Sequence, residues 1–155
     1  MTTGLSEALV VFKSLRVLDL SFNSINLEGK TQRQQLLLTL AGLTSLEVLS
    51  VAFNRIHDKG AAALLGCLQP ATHTALLILD LSHCFLTKNS IPLLSSFLTE
   101  SPVHLLMVSG LVCSESLLKG LMEVAKKSGD KTVHLEEHYV GIEVLESYAV
   151  QAVLK

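Results

Sequence analysis

Apolar and polar residues in this chain follow a motif that returns along its length. Leu15-Arg16-Val17-Leu18-Asp19-Leu20-Ser21-Phe22-Asn23-Ser24-Ile25 comes back as Leu46-Glu47-Val48-Leu49-Ser50-Val51-Ala52-Phe53-Asn54-Arg55-Ile56. A third copy is Leu76-Leu77-Ile78-Leu79-Asp80-Leu81-Ser82-His83-Cys84-Phe85-Leu86. A degraded fourth runs Leu105-Leu106-Met107-Val108-Ser109-Gly110-Leu111-Val112-Cys113. The first residues stand at 15, 46, 76 and 105, which gives spacings of 31, 30 and 29. Inside each motif the pairs Leu18/Leu20, Leu49/Val51 and Leu79/Leu81 alternate with period two, predicting a short strand with one buried face.

Between motifs the periodicity becomes helical. Ala61, Leu64, Leu65 and Leu68 form one stripe, as do Ile91, Leu94 and Leu98. Pro92 falls early in its predicted helix, where a missing N–H is tolerated. Leu36, Leu37 and Leu40 mark an earlier helix, with Gly42 expected as its C′ residue. Strand then helix, repeated with short returns, predicts an α/β fold of parallel strands stacked side by side. A helix is wider than the strand spacing of about 4.8 Å, so the sheet should curve with strands on the concave face and helices on the convex one.

The motif L-x-x-L-x-L-x-x-N/C-x-L resembles the leucine-rich repeat signature, and four copies in register make the resemblance specific for fold. A period near 30 with a full helix per repeat is similar to the ribonuclease-inhibitor-like class, above all in Ile56-His57-Asp58-Lys59-Gly60-Ala61-Ala62-Ala63-Leu64. The resemblance covers 15–127 and implies a solenoid. In such repeats the slot held here by Asn23, Asn54, Cys84 and Cys113 hydrogen-bonds backbone groups where the strand turns outward.

The chain reads as a single domain over 1–155. Residues 1–14 form either a capping helix or the tail of a preceding repeat, with Leu5, Ala8, Leu9 and Phe12 on one face. The segment 128–155 is expected to cap the array, through a last strand at Lys131–Glu136 and an amphipathic helix at Gly141–Leu154.

Leucine supplies 33 of the 155 residues, enough for a core built from one repeated slot. The net charge of −2 gives nothing that would draw the chain to nucleic acid or an anionic membrane. No basic n-region opens the chain and no apolar run approaches a bilayer span, so a cytoplasmic location is expected. Cys67, Cys84 and Cys113 are an odd set, expected as free thiols in a reducing compartment. In this register Cys84 and Cys113 fall on neighbouring strands, close enough for a disulfide geometrically.

Catalytic signals are weak. His134-Leu135-Glu136-Glu137-His138 matches H-x-x-E-H, the inverted zincin pattern, which needs both histidines on one helix face. The register predicts a strand there, placing positions i and i+4 about 13 Å apart, too far to share a zinc ion. Gly60 to Gly66 lacks the Lys-Ser/Thr of a phosphate loop. Lys119, Lys126, Lys127 and Lys131 read as a solvated helix end. No cofactor, metal site or catalytic residue is expected.

The informative surface is the outward face of the strands. One column is Val17, Val48, Ile78 and Met107; the next is Asp19, Ser50, Asp80 and Ser109. A third, at the strand exits, is Phe22, Phe53, His83 and Val112, with the two phenylalanines either presented to a partner or laid back over the turns. An apolar stripe beside an acidic–hydroxyl stripe has the composition of an interface. The expected function is non-enzymatic: a protein partner held on the concave face or rim. Partner-binding residues are Val17, Asp19, Phe22, Val48, Ser50, Phe53, Ile78, Asp80, His83 and Met107. Ran GTPase-activating proteins resemble the same repeat class, which makes regulation of a small GTPase through Arg55 and Asn89 the alternative. A zinc hydrolase built on His134 and His138 is the remote one.

Overall fold

The computed structural model describes residues 14–27, 30–129 and 131–135. Strands and helices alternate along it: β1 (Val17–Asp19), α1 (Lys30–Gly42), β2 (Val48–Ser50), α2 (His57–Cys67), β3 (Ile78–Asp80), α3 (Ile91–Glu100), β4 (Leu105–Met107), α4 (Glu115–Lys127) and β5 (Thr132–His134). The strands form a single sheet in the order β1-β2-β3-β4-β5, with every neighbour parallel. This is the expected α/β repeat architecture, and β5 confirms a strand in the segment beginning at Lys131.

Period two decides which residues enter the core. The central residue of each strand (Leu18, Leu49, Leu79, Leu106, Val133) is buried, as are Leu20, Val51, Leu81 and Val108 two positions on. Against them pack Leu36 and Leu40 of α1, Ala61, Leu64 and Leu65 of α2, Ile91, Leu94 and Leu98 of α3, and Leu118 and Leu121 of α4. Together they make one continuous core from Leu18 to Val133. Gly60 is what lets α2 approach the preceding repeat: a Cβ there would lie 2.9 Å from the Leu27 Cβ. Asp58, in the first turn of α2, ties that helix to the next repeat. Its carboxylate accepts from the Thr87 N–H (2.8 Å), the Thr87 hydroxyl (2.6 Å) and the Ser90 hydroxyl (2.5 Å).

The fourth repeat departs from its expected register. Leu79 pairs with Leu106 and Asp80 with Met107, so the spacing between core positions runs 31, 30, 27 and 27 from Leu18 to Val133. Val103, fully buried, therefore takes the slot of Leu76, and Met107 lies opposite Asp80 rather than Ile78. The cause is local: Leu105-Leu106-Met107-Val108 is apolar throughout, so its phase is hidden. A slip of two residues keeps every side chain on its own face and changes only its rung mate. Leu106 and Leu111 belong to the core, and Ser109 stands in the column of Ser21 and Ser82 rather than that of Asp80.

That shift also moves the cysteines. Leu111 occupies the slot of Asn54 and Cys84, whereas Cys113 is equivalent to Leu86. All three cysteines are free thiols. Burial pushes the Cys84 thiol up to about 12, and it donates to the Val51 carbonyl at 3.2 Å. Asn54 performs the ladder role in full. Its Oδ1 accepts from the Ile25 N–H (2.8 Å) and the Asn23 N–H (3.1 Å), and its Nδ2 donates to the carbonyls of Leu20, Val51 and Ala52. Asn23 does not share that environment. Its side chain is exposed and donates to the Ser21 carbonyl at 2.8 Å.

Two helix ends also differ from expectation. Gly42 is the last residue of α1, without a positive φ; a left-handed glycine instead follows α4, at Gly129 with φ 95°. Lys131 is buried rather than solvated, and its ammonium donates to the carbonyls of Leu98, in the last turn of α3, and of Ser101 just after it. Desolvation lowers its pKa. The helices expected at 3–12 and 141–154 lie outside the described residues, as do Glu136, Glu137 and His138.

Candidate functional site: the sheet face and its rim

The strands leave their first and last residues facing outward, and register builds these into columns. Val17, Val48, Ile78 and Leu105 form one; Asp19, Ser50, Asp80, Met107 and His134 form the next. Val17 and Asp19 are exposed, while Val48, Ser50, Ile78, Asp80, Met107 and His134 are half-buried among their neighbours. Of the ten residues expected on this surface, only Met107 changes column.

The second column is wired by hydroxyls. The Asp19 carboxylate accepts from the Ser21 N–H (2.8 Å) and the Ser21 hydroxyl, and these bonds, the hydroxyl's first, lower its pKa. The Ser21 and Ser50 hydroxyl oxygens lie 2.9 Å apart, and the Ser50 hydroxyl lies 3.2 Å from Asp80 Oδ2. Asp80 Oδ1 accepts from the Ser82 N–H at 2.9 Å. Two hydroxyl protons thus serve three oxygen–oxygen contacts between Asp19 and Asp80, and the line is short of donors. Neither aspartate pairs with a cation among the described residues.

At the strand exits the backbone turns sharply, with φ of 56° at Phe22, 54° at Phe53, 53° at His83 and 77° at Gly110. These are equivalent positions in four successive rungs, and the turn swings the side chains of Phe22, Phe53 and His83 outward. The rings of Phe22 and Phe53 stack at 4.2 Å between centroids, and those of Phe53 and His83 at 4.4 Å. Gly110 ends the row, since a Cβ there would meet His83 Nδ1 at 2.8 Å. The phenylalanines are not folded back as packing: Phe22 is 73% exposed and Phe53 46%. Beside them lie Phe85 at 59% and Val112 at 44%, with the Phe85 ring against His57 at 5.3 Å between centroids. Phe85 went unread in the sequence, although period two carried past β3 puts it on the same side as His83.

Two cavities adjoin this row. One, about 330 Å³, is lined by Phe53, His83, Phe85, Gly110 and Val112. The other, about 350 Å³, is lined by Phe53, Asp80, Ser82, His83, Met107, Ser109 and His134. The two share Phe53 and His83 as a common wall.

The alternative chemistries find little here. Asn89 is committed to the helix-capping network, its N–H donating to Thr87 Oγ1 at 3.2 Å and its amide lying 3.5 Å from Asp58. Arg55 is exposed and its N–H donates to the Ile25 carbonyl. Among the described residues no three His, Cys, Asp or Glu side chains group as a metal site. Among them also, no helix is long and apolar enough to cross a membrane.

One leucine-rich repeat family model matches residues 13–29 and 42–65, and a second matches 75–97. No curated protein sequence matches the chain. Among solved structures, that of leiomodin-1 actin-binding site 2 has a TM-score of 0.64 at 11% identity, covering 97% of this chain and 86% of that one. The tropomodulin C-terminal domain from Caenorhabditis elegans has a TM-score of 0.62 at 17% identity, covering 97% and 99%. At such identities the likeness is one of fold. Matched repeats and a parallel strand–helix stack show that this chain carries leucine-rich repeats, in a fold that the solved neighbours share.

Proposed function

We propose that the chain is a non-enzymatic interaction module that holds a protein partner on its sheet face and the rim above it. One observation carries the reading: a row of stacked rings, exposed at Phe22 and Phe53 and half-buried at His83, borders two carboxylates (Asp19, Asp80) that have no cationic partner among the described residues. An exposed apolar row lowers solubility unless something covers it, and rigid rungs present it with little ordering cost. The partner-binding residues are Val17, Asp19, Phe22, Val48, Ser50, Phe53, Ile78, Asp80, His83 and Met107, with residues 15–127 as the repeat array and 128–155 as its cap.

The leiomodin-1 structure is described as an actin-binding site, so actin is the first defined partner to test. Binding of purified actin, and of proteins captured from the source cell, is measured for the full chain and for Val48→Glu and Asp80→Lys. Val48 points away from the core, so its charge should weaken binding about tenfold or more while the fold persists. Asp80→Lys should slow association and reduce its salt sensitivity. Full affinity in both variants would move the site off the sheet face.

A further inference from the structure

We infer that the Phe53–His83 pair is a divider between two side-chain pockets, and that the partner segment seated there carries an aromatic residue next to an arginine. This rests on the proposed function and names what that surface selects. The pair is fixed in place: the rings stack at 4.4 Å, Phe22 backs Phe53, and Gly110 leaves just enough room for the His83 ring. On one side lies the cavity walled by Phe85, Gly110 and Val112, with no charged group in its lining. On the other lies the cavity containing Asp80, Ser82, Ser109 and His134. Each volume, about 330 and 350 Å³, is at the small end of ligand clefts. A single side chain fits such a space; a whole peptide does not.

The chemistry of the two sides differs, which fixes the occupant. The apolar side offers aromatic faces and a methyl-bearing wall, which suit an aromatic ring in offset or edge contact. The other side offers a carboxylate with no cationic partner among the described residues, at the end of the donor-poor line from Asp19 through Ser21 and Ser50. An arginine meets both demands at once. Its guanidinium supplies several N–H donors to Asp80 and stacks flat against the ring of the divider. A lysine supplies charge without the planar stack. An acidic residue would be repelled.

The probe is an array of short synthetic peptides, each with one tryptophan and one arginine separated by zero to three residues, bound by the full chain. Matched sets replace arginine by glutamate, or tryptophan by alanine. Tryptophan–arginine peptides should be retained, and each replacement should reduce retention about tenfold. Asp80→Asn, which keeps an oxygen for the Ser82 N–H, should erase the arginine preference and leave the tryptophan dependence. Val112→Glu, at an exposed position, should do the reverse. Equal retention of arginine and glutamate peptides overturns the inference, as does the absence of retention at millimolar peptide. If peptide binding responds to Val48→Glu but not to Val112→Glu or Asp80→Asn, the sheet-face reading stands and the divider falls.

Discussion

In the turn after β2, Phe53 swings outward to stack between Phe22 and His83, while the next residue, Asn54, swings inward and fastens five backbone groups. The two differ by one position in sequence and by everything in environment. Asn54 is buried and satisfies groups that would otherwise be orphaned between rungs one and two. Phe53 holds a left-handed backbone, sparsely populated for a large side chain, and leaves nearly half its surface in solvent. One residue fastens the fold; its neighbour lies on the exposed rim. The same alternation recurs at Cys84, whose thiol donates inward while His83 and Phe85 stand outside.

Substitutions on the inner side should reveal the largest effects. Leu49, wholly buried in β2, should cost about 2–5 kcal/mol of stability on conversion to alanine. Chemical denaturation checks this, and a loss below 1 kcal/mol would mean the core is not shared between repeats. Asn54→Leu should follow at about 1–3 kcal/mol, because it strands buried backbone groups. Asn23→Leu, in the same slot of the first repeat but exposed, should stay within about 0.5 kcal/mol. Equal losses at the two asparagines would contradict the difference seen here.

Asp58 sharpens the comparison through pH. Burial alone would raise its pKa, but hydrogen bonds from Ser90, Thr87 and Asn89 outweigh that and hold it below the ordinary carboxylate value. A depressed folded-state pKa means that the ionised group adds stability above the unfolded value of about 3.9. That contribution disappears as pH falls through the folded-state pKa. Thermal melts of wild type and Asp58→Asn should therefore differ at neutral pH and converge in acid; a gap independent of pH would refute the assignment. A small effect is expected at the outward-facing ring as well. Phe53→Gly loses ring contacts but relieves the left-handed backbone, as Gly110 already does in rung four, so stability should move by no more than about 1 kcal/mol. Differential scanning calorimetry reads that shift.

The inner side of the molecule was legible because burial enforces period. Leu18, Leu49 and Leu79 alternate with polar or β-branched neighbours, and that contrast alone places three strands and their register. Where contrast vanishes, as in Leu105–Val108, the phase is lost, and Met107 is assigned beside Ile78 instead of Asp80. The outer columns inherit their order from the inner ones, so most were placed without any signal of their own. What sequence could not supply is conformation. Whether Phe22 and Phe53 fold back or stand out depends on a positive φ that nothing in their chemistry favours. The buried ammonium of Lys131 was hidden for a related reason: its partners are backbone carbonyls of another repeat, which carry no sequence label.

The most direct test sets the two faces of the molecule against each other. Partner affinity is measured for Val48→Glu on the sheet face and for Leu38→Glu, an exposed leucine on α1, with both chains first shown to melt like wild type. Binding through the sheet face predicts a loss of about tenfold or more for Val48→Glu and none for Leu38→Glu. The reverse pattern, with Val48→Glu at full affinity and Leu38→Glu impaired, would contradict it and place the partner on the helices.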